Sequence, residues 1–284
     1  MKVVGPKTNF CLNLAHSLCF DFVEMDRRVF PDGEINPRIE EAPEEVILVN
    51  TLSSHCFDPN RYIMEYIFSI KNLKERGTEL IILVMPYLPY SRQDAVFREG
   101  ESFTSKYMLD IFKYLGIKNI FAVTFHLHRQ RAANLIEGIT LFDVSGIDAL
   151  RDYITPGEDP LFLAPDEEAE KWARKMAVHF QGEVAVLQKR RDTATGAIKT
   201  SGEISEGRNV IIVDDMISTG STILKALKIC TQYKSRTVMV AAVHGIFSRS
   251  VRWDVPLITT NTVENPYAKA DVTPYIAKAI AQQL

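Results

Sequence analysis

The chain has 284 residues, 46% of them hydrophobic and 24% charged, the balance of a soluble globular protein and a length that suits two domains of ordinary size. The formal net charge is −3, so no broad basic field exists to hold nucleic acid, and local basic clusters need local explanations. Cys11, Cys19, Cys56 and Cys230 form no C-x-x-C pair and fit no zinc spacing, so reduced, mostly buried thiols are expected. Lys2 leads into Gly5, Pro6, Lys7, Thr8 and Asn9 rather than a continuous apolar stretch, and no apolar run approaches bilayer length. The expectation is a cytoplasmic protein without a membrane partner.

Short apolar runs alternate with helical patterns along the chain. Val46 to Val49 reads as a buried strand, followed by a helix from about Asn60 to Arg76 that Pro59 opens and Gly77 closes. Leu80 to Val84 is a strand, then come a polar loop, a helix from about Ser105 to Leu115 ending at Gly116, and a strand from Ile120 to Thr124. The second half repeats the plan: strand Leu161 to Leu163, helix Glu167 to Phe180, strand Val184 to Leu187, strand Val210 to Val213, helix Thr222 to Tyr233, strand Val238 to Val243. This order predicts α/β architecture with mostly parallel sheets flanked by helices. Two similar domains are expected, 1–145 and 146–284, joined between Asp143 and Gly157, with a last helix at about 271–284 available to pack back on the first domain. Arg190 to Arg208 is the longest unpatterned polar stretch, and such a stretch inside a compact domain is usually a functional loop.

The sharpest motif runs from Val210 to Thr222, where an apolar strand leads into Asp214 and Asp215, then a small-residue turn, then a helix. A turn before a helix N-terminus supplies the converging N–H donors that a phosphate needs. Gly220 permits close backbone approach, and Ser218, Thr219, Ser221 and Thr222 add hydroxyls. The two acids would repel a phosphate but suit the hydroxyls of a ribose. A capped helix after a strand accounts for the hydroxyls but not for two acids ending a buried strand. The motif resembles the phosphoribosyl-pyrophosphate binding signature of the phosphoribosyltransferase superfamily. That resemblance implies two phosphoribosyltransferase-like domains, with the turn on the 5-phosphate and the acids on the ribose.

Further segments resemble the ribose-phosphate diphosphokinase family, in the family's order and over nearly the whole chain. Phe30-Pro31-Asp32-Gly33-Glu34 is similar to its F-x-D-G-E loop, which implies adenine contacts by Phe30, Asp32 and Glu34, often across a subunit interface. As a bare pattern, Asp-Gly is more often just a turn. Pro86 to Asp94 resembles P-Y-x-x-Y-x-R-Q-D, implying that Arg92, Gln93 and Asp94 line the ATP site, with Arg98 a further phosphate contact. Phe125-His126-Leu127-His128 ends a strand whose alternation puts both imidazoles on one face. The family has D-L-H there, so His128 inherits a role at the metal–ATP complex while His126 replaces the family's Asp. Gln188 to Arg191 ends a strand and opens the polar loop; the resemblance makes Lys189 and Arg191 catalytic cations, and fixed cations on a closing loop lower the barrier to pyrophosphoryl transfer. Pro165-Asp166-Glu167-Glu168 stands where the family has P-D-x-G, keeping Asp166 as a metal residue and losing the glycine to Glu168.

The family implies ATP and ribose 5-phosphate as substrates, Mg2+ as cofactor, and a homodimer or higher homo-oligomer. Mn2+ is the alternative metal, because the imidazole of His126 suits softer cations. Lys189 to Glu206, polar and freed by Gly196 and Gly202, is expected to be mobile without substrates and to close over them. No general base stands out. A phosphoribosyltransferase and a catalytically silent regulatory homologue stay open as alternative readings.

Overall fold

The computed structural model describes residues 1–126, 137–191, 198–201 and 204–284, the side chains of 189–191 and 198–201 excepted. The chain forms two compact units, Met1–Ser145 with Asp271–Leu284, and Gly146–Ala270.

The first unit contains β1 (Lys2–Gly5), α1 (Asn9–Leu18), β2 (Phe22–Val29), β3 (Ile35–Ile39), β4 (Glu45–Val49), the two-residue β5 (Leu52–Ser53), α2 (Pro59–Glu75), β6 (Leu80–Met85), α3 (Thr104–Tyr114), β7 (Asn119–Val123) and β8 (Thr140–Val144). Seven of its strands make one sheet in the order β3-β2-β1-β4-β6-β7-β8. Every pairing is parallel except β2 with β3. Val46, Ile47, Leu48 and Val49 are wholly buried, as an inner parallel strand covered on both faces must be. The start of α2 is fixed chemically: Asp58 accepts the N–H groups of Asn60 and Arg61 at 3.0 and 2.9 Å, and Pro59 occupies the first turn. Gly77, at φ +98°, ends it in a conformation other residues resist. Tyr62, Tyr66, Ile70 and Leu73 form the buried stripe of α2.

The second unit contains α4 (Gly146–Leu150), β9 (Pro160–Ala164), α5 (Glu170–Phe180), β10 (Glu183–Val186), β11 (Gln188–Arg191), β12 (Ile198–Ser201), β13 (Asn209–Ile217), α6 (Ser221–Gln232), β14 (Arg236–Gly245), β15 (Leu257–Thr260), β16 (Val263–Glu264) and β17 (Ala268–Ala270). Its sheet runs β10-β9-β13-β14-β15-β17, parallel throughout. The chain then returns to the first unit as α7 (Thr273–Ala281), which packs on α1 and on β7 and β8. The α/β class with mostly parallel sheets flanked by helices is as expected from the alternating pattern.

Several local readings differ. The strand expected over Val184 to Leu187 stops at Val186, and Gln188–Arg191 pairs antiparallel with Ile198–Ser201, Lys189 facing Thr200 and Arg191 facing Ile198. Part of the polar stretch is therefore a two-stranded ribbon, while 192–197 and 202–203 lie outside the described residues, as does the expected mobility there. Helix α5 begins at Glu170 instead of Glu167, because Asp166 turns back to accept the Ala169 N–H at 3.1 Å. All four cysteines are free, but only Cys11 and Cys230 are buried; burial pushes the Cys11 thiol up to about 11. No helix among the described residues is long and apolar enough to cross a membrane.

Candidate active site

In the second unit, the carboxyl ends of the parallel strands carry the acids. β13 extends beyond the expected Val213 to Ile217, so Asp214 and Asp215 sit inside the strand and are only 7% and 6% exposed. β13 pairs with β9 so that Ile212 faces Leu163; three residues beyond each stand Asp215 and Asp166. Asp214 Oδ1 accepts the Asp215 N–H at 2.9 Å. Burial, then the charges of Asp215 and Asp166, hold the Asp214 carboxyl well above the usual carboxylate range. Three carboxylates thus share one strand edge, which is where ligands bind in parallel α/β sheets.

The turn follows at once. Gly220, at φ +78°, is the N-cap of α6, and no side chain caps the helix there. Its first-turn N–H groups therefore form an anion-binding end, with the helix dipole adding to it. Thr219 Oγ1 lies 3.1 Å from Ser221 Oγ and 3.4 Å from the Ser221 N–H. Ser218, Thr219 and Thr222 are half-buried and Ser221 is exposed, so the hydroxyls gather on one short accessible turn.

Sequence reasoning missed the segment that backs this turn. Ile217 O accepts the N–H groups of Ile246 and Phe247 at 2.9 and 3.2 Å, and Ser218 O accepts the Ser248 N–H at 3.0 Å. Trp253 lies against Gly220. A tryptophan in a polar stretch was the available signal, but its contact is long-range. Buried His244, opposite Met216 in the β13–β14 register, was also unmarked; its Nδ1 lies 2.8 Å from Thr262 Oγ1.

In the first unit, Phe30 to Glu34 joins β2 to β3 as a tight turn. The Phe30 N–H donates to Glu34 O at 2.8 Å, and Asp32 Oδ1 accepts the Glu34 N–H at 3.1 Å. Asp32 therefore shapes the turn locally, while the guanidinium of Arg28 lies 4.5 Å from the Phe30 ring centroid. The loop after β6 is held by Tyr90 in a left-handed conformation (φ +61°), by the Gln93 N–H on Tyr90 O at 2.8 Å, and by Ser105 Oγ on Gln93 O at 2.8 Å. It exposes Arg92, Gln93 and Arg98. Asp94, in the same loop, has no exposed surface. These two segments rise from the same sheet edge but from β2 and β6, which β1 and β4 separate. Three steps of about 4.8 Å put their roots about 14 Å apart across the sheet, and by the strand registers β2 runs about four residues further along the strand axis than β6, about 13 Å more.

The strand expected to carry two histidines ends at Val123, and Thr124 leaves it at φ +40°. Strand alternation therefore does not extend to buried His126, and His128 lies outside the described residues. The backbones of Lys189 and Arg191 are in β11; their side chains are outside the described set. Among the described residues, no group of three or more His, Cys, Asp or Glu side chains is arranged to hold a metal ion.

A parallel sheet with a buried acidic strand end and an uncapped helix start beside it defines a phosphoribosyltransferase-type domain. Residues 147–274 match the phosphoribosyl transferase domain family, and residues 4–116 match the N-terminal domain of ribose phosphate pyrophosphokinase. The chain is 31% identical to the ribose-phosphate pyrophosphokinase of Pyrococcus abyssi, over 91% of this chain and 90% of that one. It is 29% identical to the enzyme of that name from Saccharolobus solfataricus, over 96% and 95%. Its fold matches the crystal structure of phosphoribosylpyrophosphate synthetase from Mycobacterium smegmatis with a TM-score of 0.82, at 24% identity, covering 99% of this chain and 98% of that one. The chain belongs to the ribose-phosphate pyrophosphokinase family.

Proposed function

We propose that this chain transfers the pyrophosphoryl group of ATP to ribose 5-phosphate, giving phosphoribosyl pyrophosphate and AMP. The observation that carries the reading is the uncapped start of α6 directly after buried Asp214 and Asp215, in a chain that matches both domains of the family. The Ser218 to Thr222 turn takes the 5-phosphate, and Asp214 and Asp215 accept from the sugar hydroxyls. The crowded acids favour a ligand that brings hydroxyl protons to them.

The anomeric oxygen attacks the β-phosphorus. Its bond to phosphorus forms as the bond from that phosphorus to the α–β bridging oxygen breaks, AMP departs with the bridging oxygen, and the hydroxyl proton passes to solvent. Arg92, Gln93, Asp94 and Arg98 bind ATP from the loop after β6, and Phe30, Asp32 and Glu34 complete the adenine site. Lys189 and Arg191 neutralise the charge that grows on the transferring oxygens.

The carboxylate of Asp166 suits Mg2+, which takes one or two protein groups alongside substrate phosphates and water. Asp166 and His128 would hold it. The ion would offset phosphate charge; Mn2+ would serve in its place. The separation between the roots of the Phe30 turn and the Arg92 loop favours a homodimer or larger assembly in which one subunit's turn completes its neighbour's site.

Mixing ATP, ribose 5-phosphate and Mg2+ with the protein and following AMP tests the reading. AMP formed in step with phosphoribosyl pyrophosphate supports it. Turnover of a nucleobase with phosphoribosyl pyrophosphate, without ATP, would replace it with a transferase; no turnover in either mixture would leave a silent homologue.

A further inference from the structure

The turn that receives the phosphate is not self-supporting. From Ile217 to Gly220 it lies between two elements, with its carbonyls facing one neighbouring segment, Ile246 to Trp253. Ile217 O takes two N–H groups and Ser218 O takes a third, all from that segment. Ser218 Oγ and Ser248 Oγ lie 3.4 Å apart. The indole of Trp253 closes the other side. A Cβ built on Gly220 would lie 2.9 Å from Cη2 and 3.1 Å from Cζ2 of that ring, and 3.5 Å from Cγ2 of Val251. The ring is itself wedged. It packs on the core under β13 and β14 and meets Phe247 edge-on, with centroids 6.3 Å apart. Gly220 is thus confined twice: its φ of +78° excludes a side chain on conformational grounds, and the indole fills the space a side chain would take.

We infer that Trp253 is a positioning residue for the sugar phosphate: its ring, with the Phe247–Ser248 backbone, holds the Ser218 to Thr222 turn in its binding geometry before the ligand arrives. This rests on the proposed reading of that turn. The physical reason is preorganisation. A glycine turn next to a helix start has many backbone states, and an anion site needs its N–H donors converged. A rigid indole against the glycine removes those states without touching the ligand. Trp253 does not take part in the pyrophosphoryl step, so its loss weakens ribose 5-phosphate binding and leaves the chemical step intact once the sugar is bound.

The chain has two tryptophans, so Trp172→Phe leaves Trp253 as the sole indole reporter. In that background, ribose 5-phosphate and inorganic phosphate should each shift the emission of Trp253 saturably. Trp253→Ala should raise KM for ribose 5-phosphate by about tenfold or more, with KM for ATP and kcat within about twofold, and Trp253→Phe should restore most of the affinity. If the alanine variant does not fold by circular dichroism, Trp253→Phe decides alone, with an expected rise of about threefold in the same KM. Calorimetric titration of the unsubstituted protein with ribose 5-phosphate separates the two possible failures. Binding by calorimetry with a silent Trp253 emission, or with an unchanged ribose 5-phosphate KM in the variant, overturns the brace and leaves the turn's assignment standing. An equal rise in KM for both substrates also overturns it. Absence of any ribose 5-phosphate or phosphate binding overturns the assignment of the turn, and the brace with it.

Discussion

Replacing Asp214 by asparagine should make the free protein more stable while disabling it. The carboxyl lies in β13 at 7% exposure, with Asp215 adjacent in sequence and Asp166 on the neighbouring strand edge. Like charges about 5–8 Å apart in an effective dielectric near 20 repel by about 2–3 kcal/mol. Asparagine keeps an oxygen for the Asp215 N–H that now donates to Asp214 at 2.9 Å, but adds an amide N–H whose partner is imperfect. A net gain of about 1–2 kcal/mol remains, worth about 2–4 °C in Tm for a chain of this size. The pH dependence carries a sign. Burial and the neighbouring acids raise the folded-state pKa of Asp214, so between the unfolded and folded values the folded chain binds more protons and stability falls as pH rises. The penalty is absent below the ordinary carboxylate range and complete above the raised value. Asparagine does not titrate, so the variant's advantage should be small at pH 4 and larger at pH 7.5. Thermal unfolding followed by circular dichroism, in chelator and without substrates, measures it. An equal advantage at both pH values, or a lower Tm at pH 7.5, refutes the repulsion argument. The same variant should lose ribose 5-phosphate affinity by about tenfold or more, since a charged acceptor for its hydroxyls is gone.

Lys189→Ala should lower kcat by several hundredfold or on that order while changing the affinity for either substrate by less than about threefold, as expected for a cation that acts on the transition state; near-normal turnover would remove Lys189 from the chemistry. Mixing Phe30→Ala with Lys189→Ala protein should recover part of the activity through hybrid sites, and no recovery after demonstrated subunit exchange would make each chain self-sufficient. Glu65→Ala should destabilise the first unit by about 2 kcal/mol, less than a deeply buried pair because Arg27 and Arg61 can rehydrate, with Glu65→Gln costing about half; a urea midpoint unchanged by Glu65→Ala would show the network to be ornamental.

How much could be read in advance depended on whether a feature was local. The β13–α6 motif was legible because one face-independent apolar run, two acids and a cluster of small hydroxyl residues follow one another without a break. Helix α2 was legible from Pro59 and Gly77, two residues whose backbone limits act on their own positions. β2 and β3 were missed: they form the outer antiparallel pair, and Glu24, Asp26, Arg28 and Arg38 on them face water, so no apolar run announces a strand. The histidine strand was overextended because nothing in Phe125-His126 signals that Thr124 turns into positive φ. Asp94 was read as an ATP residue from its place in the Pro86 to Asp94 string, and its burial depends on packing that no local pattern announces. The backing of Gly220 by Trp253 joins positions 33 residues apart (253 minus 220), a distance over which spacing carries no signal.

Two buried carboxylates in this chain have opposite surroundings, and the contrast separates structure from function. Glu65, 2% exposed, is answered from three sides: the Arg61 guanidinium donates at 2.9 Å, the Asn50 amide donates at 2.8 Å, and Arg27 lies at 4.0 Å. The Asn50 N–H in turn donates to Tyr66 Oη at 2.8 Å, which fixes the end of β4 to α2. Here the charge is neutralised inside the fold, and its work is to hold elements together. Asp214 is buried too, yet the charges that act on it among the described residues are those of two more acids. A fold under no other demand would replace one of them, since a neutral residue there relieves repulsion at no cost in packing. Retaining such crowding is reasonable only where an incoming group discharges it, and hydroxyl protons from a sugar held by the adjoining helix start would do so. The crowding at Asp214 and the left-handed turn at Gly220, which glycine adopts without strain, fall on one strand–turn–helix unit, and both would serve a sugar phosphate bound there.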